Sequence, residues 1–125
     1  MTTVHANSPK DAITRLVTMV IMAGTELPER AVKEQLVSAI PIIVQLSRIM
    51  DGSRKVVQIS EVTGLKSDGN VEMVDLFRYV QMGIEKGKVI GKFVATGVFP
   101  SFIDEVKTHG LVIDKNIFAE GELKM

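Results

Sequence analysis

Cysteine is absent from this 125-residue chain, which excludes disulfides, zinc–thiolate centres and thiol nucleophiles together. A reducing compartment suits that composition. Histidine is scarce, with only His5 and His109, so any metal site would have to be completed by carboxylates. An excess of charge is also lacking: 15 basic residues balance 15 acidic ones, leaving no broad field to hold a polyanion or an anionic membrane surface. Nucleic acid is therefore not an expected partner. Long apolar runs are missing, since the longest, Met19 to Ala23, is far short of the roughly 20 residues that cross a bilayer. The first residues carry neither a basic segment nor a signal-like apolar stretch.

What is present is ordinary for a folding domain: 46% hydrophobic and 24% charged residues, in a chain long enough to bury one core without a staple. Thr2 to Ala6 alternate like a strand, which would need a partner for its backbone. Ser8 is placed to cap a helix, with Pro9 at the first helical position and Asp11 three residues past the cap. Ala12, Ile13, Leu16, Val17, Val20 and Ile21 recur at helical spacing and predict one broad buried stripe ending at Gly24. Pro28 opens a second helix with Val32, Leu36, Ala39 and Ile40 on its apolar face, and Pro41 ends it.

From Ile42 the period changes to two. Ile42, Val44 and Leu46 alternate with Gln45 and Ser47, and Asp51-Gly52 turns the chain into a returning strand through Val57 and Ile59. A second Asp-Gly, at 68–69, leads to a strand with Val71, Met73, Phe77 and Tyr79 on one face and Asp75 among them. A turn over Glu85 to Lys88 precedes a strand at about Val89 to Val94. Phe102, Ile103 and Val106 form the inward face of a short helix that Gly110 closes, and Asn116 to Met125 reads as a frayed tail. The pattern is α+β: helices over about 9–40, an antiparallel meander over about 42–95, and a short helix over about 101–109.

Around His5, the short polar residues Thr2, Thr3, Asn7 and Ser8 stand at a strand-to-helix junction, where backbone N–H groups and a helix dipole can meet an anion. The bland alternative is a histidine bonded locally. Arg15 either anchors this junction or lines a polar helix face. Arg48, Asp51 and Arg54 surround the first hairpin turn, where they would be solvated or meet a neighbouring subunit. His109 reads as a helix-end residue, and the seven methionines as core filler.

The stretch Thr-Thr-Val-His-Ala-Asn-Ser-Pro-Lys-Asp-Ala-Ile-Thr-Arg-Leu resembles the His box of the secretion and pilus-assembly ATPases, matched at Thr3, His5, Ala6, Asn7, Ser8, Ala12, Arg15 and Leu16. The likeness continues through MVIMAGTELPERAVKEQLVSAI, VQLSRIMDGSRKV, ISEVTG and VIGKFVATGVFPSF, segments similar to the C-terminal portion of the CpaF (TadA-like) branch. That resemblance implies part of a RecA-like P-loop NTPase: a cytoplasmic homohexamer on an inner-membrane platform protein, using ATP and Mg to drive pilus assembly or secretion. It implies that His5 reports the γ-phosphate. The sequence departs from the family where chemistry is concerned, for it has no Gly-x-x-x-x-Gly-Lys-Ser/Thr loop and no acidic Walker B strand. The chain alone is therefore expected to bind no cofactor and to hydrolyse nothing. The rival expectation is a non-catalytic interaction module of independent α+β fold with a structural His5. An enzyme complete in these residues is disfavoured, as no nucleophile–base pair or metal-ligand spacing occurs.

Overall fold

The computed structural model describes residues 1–123. Its elements run α1 (Pro9–Met22), α2 (Glu29–Ala39), β1 (Ile42–Arg48), β2 (Arg54–Leu65), β3 (Val71–Glu85), β4 (Lys88–Ala95), α3 (Ile103–Thr108), a 3-10 turn (Lys115–Phe118) and β5 (Gly121–Glu122). The strands form one antiparallel sheet in the order β1-β2-β3-β4-β5, so each strand neighbours the next in sequence. The α+β class and the meander stand as expected. The opening strand does not: residues 1–6 carry no regular structure, because alternation alone supplies no ladder partner.

By residue contacts the chain divides into two compact units. The first comprises Met1–Ile43 and Glu61–Val74. Ile13, Val17 and Val32, each at most 4% exposed, make its core, with Leu36, Ile43, Val71 and Met73 packed around them. Burying a side chain of this size stabilises by about 1.5–3 kcal/mol. The buried stripe of α1 is shorter than its sequence pattern: Ala12, Ile13 and Val17 are covered, whereas Val20 and Ile21 are 37% and 43% exposed. The apolar spacing outruns the surface available to cover it.

The second unit comprises Val44–Ser60 and the chain from Asp75 onward. An aromatic cluster sits inside it: Phe77 stacks on Phe93 at 5.7 Å between centroids, and Phe118 meets Phe77 at 5.6 Å and Phe99 at 6.3 Å. Phe118 is only 7% exposed, and Leu123 N–H donates to the Phe93 carbonyl at 3.1 Å. The tail from Asn116 is thus docked rather than frayed as far as Leu123, because Phe118 has a pocket to fill; Lys124 and Met125 lie outside the described residues.

The two Asp-Gly turns are built alike. Ile49 N–H donates to Ser53 O at 2.9 Å and Gly52 N–H to Ile49 O at 2.9 Å; the second turn repeats this with Lys66 to Asn70 at 2.8 Å and Gly69 to Lys66 at 3.0 Å. In each the aspartate accepts the N–H two residues on, Ser53 or Asn70, at 2.9 Å. Gly52 and Gly69 both have φ +85°, a left-handed conformation that glycine adopts without steric cost.

The alternation in β1 resolves with Gln45, not the apolar set, on the covered side. Gln45 is 8% exposed, while Val44 and Leu46 are 49% and 59% exposed. Ile43 belongs to the helical core, and a period of two then carries Gln45, not Val44, to the covered side.

Candidate functional site

The stretch from Thr2 to Asn7 enters α1 through a fixed junction. Ser8 is extended (φ −160°, ψ 163°), and its Oγ accepts the Asp11 N–H at 3.0 Å, which satisfies one orphan donor of the first turn. The Asp11 carboxylate reaches back one residue beyond the usual capping box, accepting the Asn7 N–H at 2.9 Å. Arg15 Nε donates to the same carboxylate oxygen at 3.0 Å. The Asn7 amide and Arg15 lower the Asp11 pKa, the amide more strongly. Asn7, Ser8 and Arg15 are therefore brought together through Asp11, a residue the sequence reading used only as a helix signal. Arg15 anchors the junction while remaining about half exposed.

Two backbone donors of this helix start, those of Asn7 and Asp11, are thus held by the chain's own side chains. What projects outward is the set of exposed residues Thr3, His5 and Asn7. Such a set can lend a hydrogen-bonding edge to a nucleotide held elsewhere, but it makes no complete phosphate cradle. Magnesium fits no better within these residues, for no group of three or more His, Cys, Asp or Glu that could hold a metal is found among the described residues.

Arg48, Asp51 and Arg54 cluster about the β1–β2 turn in the second unit. Both arginines are exposed. Asp51 is engaged inside the chain: its carboxylate accepts Ser53 Oγ at 2.5 Å, Ser53 N–H at 2.9 Å and Val89 N–H at 2.9 Å. These bonds, the Ser53 hydroxyl first, lower its pKa to about 2. Asp75, flagged by its place among apolar neighbours, is a hub. It accepts Gln58 Nε2 at 2.6 Å, Ser60 Oγ at 2.8 Å and Arg78 NH2 at 3.1 Å, while its carbonyl accepts Thr96 Oγ1 at 2.5 Å. That network ties β2, β3 and the end of β4 together. His109 is exposed at the end of α3, its N–H donating to Glu105 O at 3.3 Å.

A cavity of about 200 Å3 lies in the first unit and was not foreseen. Ile13, Val71 and Met73 line it, with Lys10, Thr14 and Lys33. Lys33 is held there by Glu29 and the Gly69 carbonyl, both at 3.3 Å. The only sequence signal for it is the Lys10–Thr14–Thr18 spacing along one face of α1. No helix among the described residues is long and apolar enough to cross a membrane. Comparison with family models and with curated proteins gave no match to this chain.

Proposed function

We propose that the chain is the C-terminal portion of a motor ATPase of the CpaF (TadA-like) branch, which couples ATP hydrolysis to pilus assembly or protein secretion. One observation carries this reading: the ordered run Thr3, His5, Asn7, Ser8 and Arg15, whose polar side chains either project from the start of α1 or fasten it. In the proposal His5 senses the γ-phosphate held by the catalytic half of the motor, as an imidazole that gains a phosphate partner before hydrolysis and loses it after. The motor is a cytoplasmic homohexamer seated on an inner-membrane platform protein, with a RecA-like core to which this α+β part belongs. ATP and Mg are bound chiefly by residues outside this chain.

The test is genetic and enzymatic. The gene should encode, ahead of codon 1, a Gly-x-x-x-x-Gly-Lys-Ser/Thr loop followed by an acidic strand, and the 125-residue chain by itself should show no ATP turnover in magnesium. A gene lacking that loop, or ordinary turnover by the isolated chain, overturns the reading. The rival, a non-catalytic interaction module, draws its support from the exposed apolar side chains Val44, Leu46, Met82 and Ile84.

A further inference from the structure

An aspartyl carboxyl closes on the next backbone nitrogen most easily when that residue is glycine, which has no Cβ to obstruct the approach. The chain holds two such pairs, Asp51-Gly52 and Asp68-Gly69, in turns of one backbone pattern. What differs is how each carboxylate is held. Asp51 is half-buried; one of its oxygens accepts the hydroxyl and N–H of Ser53, and the other accepts Val89 N–H at 2.9 Å from 38 positions away on β4. Asp68 is exposed, and both its oxygens are held by Asn70, through the N–H at 2.9 Å and Nδ2 at 3.1 Å. A carboxyl group swinging towards the next nitrogen therefore breaks a bond to another strand at Asp51. At Asp68 it breaks bonds inside its own turn.

We propose that Asp68-Gly69 is a site of spontaneous covalent modification, at which the β2–β3 turn converts to an isoaspartyl linkage, and that the fold protects Asp51-Gly52 from the same change. Gly69 N attacks Asp68 Cγ; the N–Cγ bond forms as the Cγ–O bond breaks, and the amide proton and carboxyl hydroxyl leave as water. The product is a cyclic succinimide, which water reopens at either carbonyl. Opening at the side-chain carbonyl restores aspartate, and opening at the main-chain carbonyl leaves the backbone running through the β-carboxyl. Solvent water is the only co-reactant. The methylene thus added to the backbone moves the Gly69 carbonyl, which accepts Lys33 Nζ at 3.3 Å, so the turn loosens its hold on α2. Reaction at either pair requires its carboxylate to open first, and the cost of that local opening sets the relative rates. The inference goes beyond the motor reading and does not rest on it. It depends on bonds made inside the chain and needs no occupant for any open surface.

The test is to incubate the 125-residue chain for several weeks near neutral pH and body temperature, then digest it and separate the equal-mass isomers by liquid chromatography with mass spectrometry. Isoaspartate should accumulate at residue 68 on the order of tenfold faster than at residue 51, the difference being the extra charge-assisted bonds that Asp51 must break to open. In guanidinium chloride, where no native bond holds either carboxylate, the two rates should agree within about twofold. Ser53→Ala removes a donor from Asp51 and should speed residue 51 in the folded chain about threefold or more. The rate at residue 68 serves as its internal control and should not move. Rates within about twofold of each other in the folded chain would overturn the inference. So would a tenfold gap that persists in guanidinium, since the neighbouring sequence and not the fold would then set it, or a Ser53→Ala chain in which residue 51 reacts no faster.

Discussion

Gly91 is the position where one added methyl group should be felt most. Tyr79 pairs with Phe93 and Gln81 with Gly91 across β3 and β4, so the Tyr79 ring leans diagonally over residue 91. A Cβ built there meets the end of that ring in sub-van-der-Waals contact and stands 2.7 Å from the Val80 carbonyl oxygen. The ring can swing away; the backbone carbonyl cannot. Overpacking of this kind costs about 1–3 kcal/mol, and with a urea m-value of about 2 kcal/mol/M the midpoint for Gly91→Ala should fall by about 1 M. Gly83→Ala, in the same hairpin with nothing within 4 Å of its added Cβ, should leave the midpoint within about 0.2 M of the parent. In a Tyr79→Leu background the cost of Gly91→Ala should shrink without vanishing, the remainder being the clash with Val80 O. Equal midpoints for Gly91→Ala and Gly83→Ala would refute the reasoning.

The Asp51 carboxylate has its pKa lowered from 3.8 to about 2, so its stabilising bonds are complete above the ordinary value and are lost as pH falls towards the folded one. Thermal melts should therefore weaken between about pH 4 and 2, and Asp51→Asn should both lower stability at pH 7 and flatten that slope. Ser8→Ala removes the acceptor for the Asp11 N–H and should cost about 1 kcal/mol in denaturant melts. Phe118→Ala should cost about 3 kcal/mol and free the segment after α3 to rapid amide exchange; unchanged exchange would mean that the aromatic cluster does not hold it. His5 is exposed, so His5→Ala should leave the melting curve within about 0.5 kcal/mol of the parent; under the proposed function, the same change in the full-length protein should collapse ATP turnover.

The helices and turns were legible because their signals are local. Ser8-Pro9, Pro28, Pro41 and the two Asp-Gly pairs each act through a few neighbouring atoms, and each stands where expected. The facing of β1 was not legible. Ile42, Ile43 and Val44 are consecutive and apolar, so either parity satisfies the pattern, and only the packing of Ile43 against α1 and α2 decides between them. The end of α1 was over-read for a related reason: spacing shows which residues share a face, not how much protein stands opposite. The docked tail was missed because Phe118 finds its partners Phe77 and Phe99 at distances in sequence that no window spans. At the candidate site the Ser8 cap was readable, whereas the bond from Asn7 N–H to Asp11, one position outside the familiar box, was not.

Asp51 also bears on the order in which this chain assembles. Its hydrogen bond to Val89 spans 38 positions, so the first turn of the meander is completed by a residue from the last long strand. Until β4 arrives, the aspartate has only Ser53 to hold, and the Ile49–Ser53 loop is left one bond short. A chain cut between Lys86 and Gly87, or permuted there, would thus loosen a bend it never touched, and protection of the Val89 amide would be the place to watch it happen.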